Sequence, residues 1–384
     1  MLSERPTPAV DDPPITEESL AMASTPDGAP SNRKLVLVAG SGRSGTSLMA
    51  GILRHMGLHV PEPEVVADHT NPKGFGEPQW VVEFHDLLLR RNNVHPGDAR
   101  PSAWFDAGRA GAREWNRSDL AAWLQEQFAV SDALVVKDPR ISWFLGLWRV
   151  AAVRNGASTA TITMLRHPAE VVGSKNTYYG GKFGDISRLA GWTNMMLFTE
   201  RATRGSARSF VRYHDLLSDW TSTVVRVGEE LDLDQVRNAG TRVMQEIHEF
   251  VDPQLHRVRA SWDDLNVPAD LREIADETWN QLNSLVEPGD DPAQAARTYA
   301  TLDELRRAYG DLYAQAEALA SSSIGAAGPA YLRSTREQRV QEAEDAARRE
   351  LEESSAMRRF YLRVRGFVGR VVRRIDRIGA PKAA

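Results

Sequence analysis

The sequence contains no cysteine among its 384 residues. This absence excludes disulfide bonds, thiolate zinc sites and cysteine nucleophiles, and it is compatible with a reducing compartment. The nine histidines are scattered along the chain. The pair with the best metal-ligand spacing, His55 and His59, flanks Gly57, which we expect to end a helix. The sequence therefore predicts no metal site.

The sequence also lacks any long apolar run. A membrane-spanning helix needs about 18 or more consecutive apolar residues, and no such stretch occurs. Residues 1–32 contain six prolines and six acids but only one base, Arg5, and have neither a basic nor an apolar signal region. We therefore expect a disordered leader over 1–32 and a cytoplasmic protein.

What the chain does contain is an ordinary globular balance. Apolar residues make up 42% and charged residues 26%, and the net charge is −5. This composition supports a sizeable core in one large α/β domain or two modest ones. The negative charge argues against a polyanion partner, so nucleic acid is not expected to bind.

Four short runs rich in β-branched residues alternate with helical patterns. Parallel strands that are buried on both faces have this appearance, so we expect a parallel sheet flanked by helices. Ligands bind at the carboxyl ends of such strands, and chemistry is therefore expected in the loops that follow them. The predicted strands span 35–39, 133–136, 161–165 and 209–213.

The remainder of the chain reads as helical. Residues 215–321 are mostly helical, and we place a catalytic domain over 33–322. Residues 330–384 are expected to form a charged helix followed by a basic amphipathic helix. The prediction is thus an α/β fold with a P-loop-type sheet and a helical C-terminal extension.

A glycine-rich loop joins the first predicted strand to the first predicted helix. It reads Gly40-Ser41-Gly42-Arg43-Ser44-Gly45-Thr46-Ser47. Glycines let backbone amides turn inward, and a helix N-terminus adds positive potential, so this loop predicts a phosphate or phosphosulfate cradle. A plain βα turn is the structural alternative.

The loop lacks the lysine of a Walker A motif, because Thr46 stands at the lysine position. That lysine neutralises the β- and γ-phosphates in nucleotide hydrolysis, so its absence argues against an ATPase or kinase. The positive charge is instead Arg43, inside the loop.

With this arginine, the loop resembles the 5′-phosphosulfate loop of sulfotransferases that use 3′-phosphoadenosine 5′-phosphosulfate (PAPS), in the variant of the tyrosylprotein and bacterial branches. The resemblance covers about residues 34–220. It implies that Gly42, Arg43, Ser44, Gly45, Thr46 and Ser47 hold the donor, with PAPS as co-substrate and no metal.

The resemblance also implies a second anchor, for the 3′-phosphate of the donor. In the family an arginine ends one strand and a serine follows eight residues later. Arg166 and Ser174 have this spacing here. An arginine fork can bind a phosphate bidentately, and the hydroxyl can donate from the facing helical turn. For Arg166 alone, a surface salt bridge is the alternative.

Two further segments bear on catalysis. Lys137 matches a lysine of the phenol and steroid enzymes, but Pro139 replaces their histidine base. Glu77, in a loop that resembles the glutamate-bearing loop of the tyrosylprotein and heparan-type enzymes, is our candidate general base. Partial desolvation would strengthen it as a base. Its alternative is a loop-orienting role, and the rival bases are Asp138, His69 and His85.

These inferences predict transfer of a sulfuryl group from PAPS to a hydroxyl or amine of an acceptor. Glu77 would take the proton, while Arg43 and Lys137 would stabilise the leaving group. Two other functions stay open: a divergent P-loop kinase or NTPase that uses Asp138, and a non-enzymatic, membrane-associated nucleotide-binding module. We expect loops 58–110 and 176–192 to shape the acceptor pocket. Trp104, Tyr178, Tyr179 and Trp192 are candidates for stacking on a ring or for the core.

The C-terminal segment is strongly basic. Residues 355–384 carry eight arginines and one lysine against one acid, and apolar residues within 357–378 recur at helical spacing. Such a helix suits the anionic inner face of a membrane, and a glycan or glycolipid acceptor would then be accessible. Docking onto protein, within the chain or on a second subunit, and contact with nucleic acid are the alternatives. The oligomeric state cannot be read from the sequence.

Overall fold

A computed structural model describes residues 32–352, apart from 69–70, 72, 181–182, 253, 255–257 and 288–290. The rival base His69, the basic segment 355–384 and all but the last residue of the predicted leader 1–32 lie outside the described residues. None of the described helices is both long enough and apolar enough to cross a membrane.

The described sheet has four parallel strands. They are β1 (Lys34–Ala39), β2 (Ala133–Lys137), β3 (Ser158–Leu165) and β4 (Arg208–Arg212), in the spatial order β2-β1-β3-β4. All four predicted strands are therefore present, and the predicted parallel α/β class is confirmed. β3 begins at Ser158, earlier than predicted. Its first two residues are polar and at least partly exposed, so no apolar pattern marked them in the sequence. β4 ends at Arg212, so that Tyr213 begins a helix instead of ending the strand.

Helices surround the sheet and fill most of the remaining described chain. Those before β4 are α1 (Thr46–His55), α2 (Gln79–Arg91), α3 (Ser102–Ala112), α4 (Glu114–Phe128), α5 (Leu145–Arg154), α6 (Pro168–Tyr179) and α7 (Asp185–Thr203). Those after it are α8 (Tyr213–Ser218), α9 (Trp220–Glu230), α10 (Asp234–Arg237), α11 (Thr241–Phe250), α12 (Ala269–Asn283) and α13 (Pro292–Glu352). Two 3-10 helices, Pro139–Phe144 and Trp262–Asp264, complete the set.

The central strand β1 divides the core into two layers. Its alternate side chains point to opposite faces of the sheet. Leu35 and Leu37 pack with apolar residues of α2 to α5, whereas Val36 and Val38 pack with those of α1, α8 and α9. A third cluster joins α7, α12 and the start of α13. Burial on both faces explains why β1 is apolar throughout after Lys34.

The described chain divides into two units, with the boundary between Tyr313 and Ala314. This boundary precedes the predicted end of the catalytic domain at residue 322. α13 continues from Pro292 to Glu352 without interruption, so the change in composition near residue 330 does not end a helix. In the first unit, Tyr309 anchors α13 by donating its hydroxyl hydrogen at 2.5 Å to the carbonyl of Ala99 and at 3.0 Å to that of Ala190.

Candidate active site

The glycine-rich loop leaves β1 at the carboxyl edge of the sheet and enters α1. Gly45 precedes the helix with φ of 87°, and no side chain caps the helix N-terminus. The first amides of an α-helix have no partner within the helix. The amides of the first turn of α1 therefore offer hydrogen bonds and positive potential at this edge, as the sequence predicts.

Close packing fixes the path of this loop. A Cβ atom on Gly45 would lie 2.3 Å from the ring of Tyr213. Arg43 also has a positive φ of 74°, a conformation that costs free energy for any residue except glycine. The loop therefore holds the Arg43 backbone in a strained conformation that presents its side chain to α6.

The two predicted anchor groups lie side by side. Arg43 Nε donates to Ser174 Oγ at 3.1 Å, and the guanidinium of Arg43 lies 4.4 Å from the ring centre of Tyr178. Arg166 Nη1 donates to the carbonyl oxygen of Arg43 at 3.0 Å. The loop after β1 and the end of β3 thus meet because β1 and β3 are neighbours in the sheet.

Arg166 is not a surface residue. Its side chain is buried, lies over the ring of Tyr213 at 4.9 Å, and donates to the carbonyl of Val258 at 2.7 Å. It does form the ion pair of the alternative interpretation, to Glu170 at 2.8 Å. These contacts fix the guanidinium in the wall of the same cavity that the glycine-rich loop lines.

The predicted base and the predicted lysine form an ion pair. Lys137, the last residue of β2, donates its Nζ hydrogens to Glu77 Oε1 and, at 3.2 Å, to Ser47 Oγ. Asn71 Nδ2 donates to the same hydroxyl at 3.1 Å. Both Glu77 and Lys137 are buried. One network therefore joins the start of α1, the end of β2 and the loop before α2.

Burial raises the pKa of Glu77 above its usual range. The positive charge of Lys137 opposes that rise, and the negative charge of Asp138 adds to it. A carboxylate in this setting is a stronger base than an exposed one, because its ionised form is less well solvated. This is the desolvation that the sequence interpretation required of Glu77.

The rival bases Asp138 and His85 are bonded to each other in the core. His85 Nδ1 lies 3.3 Å from Asp138 Oδ2, and both side chains are inaccessible to solvent. His85 Nε2 accepts from the Trp148 indole at 2.9 Å, which places the imidazole proton on Nδ1. Despite its burial, the Asp138 carboxyl has a pKa lowered to about 2 by His85 and Arg140. Neither rival lines the cavity.

A cavity of about 920 Å³ brings the predicted donor-binding residues together. All of them contribute to its wall except Ser44, whose side chain is fully buried and whose amide donates to the carbonyl of Ser41 at 3.2 Å. Cationic side chains outnumber carboxylates in this wall. The cations are Arg43, Lys73, Arg100, Lys137, Arg140, Arg166, Lys175 and Arg188, and the acids are Glu77 and Asp98.

Much of the remaining cavity wall comes from the predicted acceptor loops. Residues 95–100 and 178–180 contribute to it, together with Phe183 and Arg188. Tyr178 and Tyr179 line the cavity, as one of their two interpretations predicted. Trp104 and Trp192 do not: Trp192 is buried in the core, and Trp104 stacks on Phe198 at 5.2 Å.

Sequence reasoning gave no individual role to several residues of the wall, among them Lys175, Arg188 and Tyr213. Lys175 donates to Ser41 Oγ at 3.0 Å, Arg188 projects from α7, and Tyr213 packs between the loop and Arg166. Lys175 directly follows the predicted Ser174, so its position in the motif was the available signal. Arg188 lies within the predicted acceptor loop 176–192 and Tyr213 at the end of a predicted strand, but neither was singled out, because their contacts depend on how distant elements pack.

The donor set suits a ligand with separate anionic groups. Uncapped helix amides and Arg43 lie at one point, and Arg166 with Ser174 lies beside them. No group of three or more histidine and acidic side chains that could hold a metal occurs in the described chain. PAPS carries anionic groups at its 5′ and 3′ ends, and these residues match it in charge and hydrogen-bonding capacity.

No protein-family model matches the sequence, and no curated protein sequence matches it either. Among solved structures, the sulfotransferase domain of a Synechococcus olefin synthase is 16% identical, with 73% of this chain and 98% of that chain covered and a TM-score of 0.35. A Mycobacterium tuberculosis sulfotransferase is 15% identical, with 64% and 76% covered and a TM-score of 0.35. The sulfotransferase domain of the curacin biosynthetic pathway is 14% identical, with 71% and 98% covered and a TM-score of 0.34.

Proposed function

We propose that the protein is a sulfotransferase that moves a sulfuryl group from PAPS to a hydroxyl or amine of an acceptor. The observation that most directly supports this proposal is that two groups suited to bind anions meet in one cavity. Arg43 and the first turn of α1 stand at the end of β1, Arg166 stands at the end of β3, and hydrogen bonds through the Arg43 carbonyl and Ser174 join them. Such a pair suits a nucleotide that is phosphorylated at both ends.

In this proposal each residue has a separate task. The loop amides, Arg43, Thr46 and Ser47 bind the 5′ end of the donor, and Arg166 with Ser174 binds the 3′-phosphate. When bound, PAPS supplies an activated sulfuryl group, whose S–O bond breaks with its electron pair leaving on the 5′-phosphate. Arg43 and Lys137 balance the negative charge that grows there.

Glu77 accepts the proton of the acceptor as the new bond to sulfur forms. Its ion pair with Lys137 holds the carboxylate ionised and oriented before the acceptor binds. The hydrogen bond from Lys137 to Ser47 ties this pair to the donor loop. Proton acceptance and charge stabilisation therefore share one connected network, and no metal is needed for either task.

The kinase alternative has weaker support. Thr46 occupies the position of the phosphate-binding lysine, and the Asp138 carboxylate is already bound by His85 and Arg140. The aspartate of a Walker B motif must be accessible to a magnesium ion. Asp138 is fully buried instead.

Release of adenosine 3′,5′-bisphosphate from PAPS tests the proposal. The purified chain is incubated with PAPS, EDTA and a panel of hydroxyl and amine compounds. We expect acceptor-dependent release that EDTA leaves unchanged. Consumption of ATP that requires magnesium, without turnover of PAPS, would favour the kinase.

We also propose that residues 357–378 attach the protein to the anionic inner face of a membrane, where a glycan or glycolipid acceptor would be within reach. The support is the charge of this segment, which carries eight arginines. Co-sedimentation of the full chain with phosphatidylserine vesicles, against neutral vesicles, tests it. Equal recovery with both would favour docking onto protein.

A further inference from the structure

Two cationic side chains of the cavity wall have no task in the donor-binding arrangement. Lys175 lies on α6, one residue beyond Ser174, and Arg188 lies on the first turns of α7. Both line the cavity. No carboxylate lies within ion-pair distance of either group in the part of the chain that the structure describes, whereas each of the cavity-lining residues Arg100, Lys137, Arg140 and Arg166 has one.

The two charges act on each other. Burial and the nearby positive charge of Arg188 lower the pKa of the Lys175 amine to about 8. Burial lowers the pKa of the neighbouring His95, the Asp98 carboxylate opposes that shift, and the positive charge of Lys175 adds to it. Lys175 and Arg188 therefore repel each other on one side of the cavity, and no carboxylate of the described residues forms an ion pair with either of them. An anion placed between Lys175 and Arg188 would relieve this repulsion.

Backbone contacts hold Arg188 in place. Its Nε donates to the carbonyl of Phe183 at 2.9 Å, and its Nη2 donates to the carbonyl of Gly180. Arg188 is only 8% exposed, and its Nη1 is buried without a hydrogen-bond partner among the described residues. A buried guanidinium nitrogen with no partner is costly, and it indicates a missing acceptor.

Lys175 has donors to spare as well. Its ammonium carries three hydrogens, and the described residues provide one acceptor, Ser41 Oγ at 3.0 Å. Ser41 belongs to the glycine-rich loop. His95 belongs to the predicted acceptor loop 58–110, and its ring packs against that of Phe183 with ring centres 4.9 Å apart. Lys175 therefore stands at the boundary between the donor loop and the acceptor side.

The loop at 95–100, which lines the cavity beside this pair, is held in place by contacts with α7. Asn194 Nδ2 donates to the carbonyls of Asp98 at 2.9 Å and of Arg100 at 3.0 Å. A Cβ atom on Gly191 would lie 2.4 Å from the carbonyl oxygen of Gly97. The loop at 95–100 is thus packed tightly on α7, and the cationic cluster is a preformed feature of the cavity.

We propose that Lys175 and Arg188 form a subsite for an anionic group of the acceptor, so that the acceptor is a hydroxyl or amine compound that already carries a carboxylate, phosphate or sulfate. The substrate class rests on the proposed function, but the anion subsite does not. A second negative charge beside the donor would be repelled by it in water, and the two cations offset that repulsion.

Titration of inorganic sulfate into the full chain, saturated with adenosine 3′,5′-bisphosphate and held at constant ionic strength, tests the subsite. We expect millimolar binding that Lys175→Met weakens by about tenfold or more, the usual effect of losing a charge-assisted hydrogen bond. Lys175→Arg should restore it. Lys73→Met is the matched control, because it removes another cation of the cavity wall, one whose Nζ donates to the carbonyl of Phe250. It should leave sulfate binding unchanged.

A comparison of PAPS with adenosine 3′,5′-bisphosphate distinguishes an acceptor anion from the sulfuryl group of the donor as the ligand of Lys175. If Lys175 binds the sulfuryl group of PAPS, Lys175→Met will weaken PAPS more than adenosine 3′,5′-bisphosphate, and the proposal is then overturned. Equal, small effects on both nucleotides support it. Absence of sulfate binding in the unmodified chain, or equal binding in Lys175→Met, also overturns it. Should the chain bind no nucleotide at all, the same titration without nucleotide still tests the subsite separately from the proposed function.

Acceptors that differ only in charge extend the test to turnover. We expect 4-hydroxyphenylacetate to be sulfated more efficiently than 4-hydroxyphenylacetamide, and the preference to disappear in Lys175→Met. A preference for the neutral amide would contradict an anionic acceptor.

Discussion

At the scale of single residues, the proposed chemistry depends on the pairing of Glu77 with Lys137. Loss of either residue would leave the other as an uncompensated buried charge, which is strongly destabilising. The sequence predicted both residues from the motifs around them. It did not predict that they touch, because they are 60 positions apart and belong to different elements.

Removal of the carboxylate should separate proton transfer from donor binding. We expect Glu77→Gln to lower kcat by about 10²–10⁴-fold, the usual contribution of a general base. The affinity for adenosine 3′,5′-bisphosphate should change little, because Glu77 lies outside the proposed donor contacts. Steady-state kinetics and calorimetry measure the two quantities. A variant with unchanged kcat would leave Glu77 only a loop-orienting role.

The pH profile should report the raised pKa of Glu77. A base must be ionised to accept a proton, so kcat/KM should rise with pH through a limb whose midpoint lies above 4.5, the ordinary value for glutamate. Lys137 opposes that raised pKa, so Lys137→Met should move the limb to higher pH while it lowers the rate. A limb that stays in place would show that another group titrates.

Single-residue reasoning had a clear limit at Asp138. From the sequence it followed a strand next to Lys137 and was a reasonable rival base and a candidate Walker acid. In the structure its carboxylate accepts from the Arg140 amide at 2.7 Å and pairs with His85 in the core. The partner His85 is 53 positions away, so no local pattern could reveal that the carboxylate is structural.

At the scale of elements, the start of α1 determines where an anion can bind. The glycine spacing predicted this strand–loop–helix unit because each step has a local cause: the apolar strand, the glycines that permit positive φ, and the helical period after Gly45. The same local reasoning placed Arg166 at the end of β3 and Ser174 on α6.

Gly45→Ala tests this unit. The new Cβ would strike the Tyr213 ring and would also hold a positive φ of 87°. We expect loss of most nucleotide affinity and a lower melting temperature. Gly57→Ala is the matched control, since Gly57 has a similar φ of 98° but no atom within 4 Å of the added Cβ. It should lower stability by about 1 kcal/mol without affecting nucleotide binding. Equal nucleotide affinities in the two variants would contradict the proposed role of the loop.

At the scale of the whole molecule, strand order creates the site. β1 connects toward β2 on one side and β3 leads to β4 on the other, so a crevice opens between β1 and β3. The sequence predicted the class of sheet but not this order, because pairing of parallel strands depends on contacts between distant segments. The sequence predicted that loops 58–110 and 176–192 shape the acceptor pocket, and Arg188 lies in the second loop. It did not predict that Lys175 and Arg188 lie close together, because that depends on how α6 and α7 pack.

The most direct test of the account compares adenosine 3′,5′-bisphosphate with ATP by titration calorimetry. The account predicts that the bisphosphate binds much more tightly, because Arg166 and Ser174 are proposed to bind a 3′-phosphate, which ATP lacks. Arg166→Ala should abolish the difference by weakening the bisphosphate alone. Equal affinities for the two nucleotides in the unmodified chain would contradict the account.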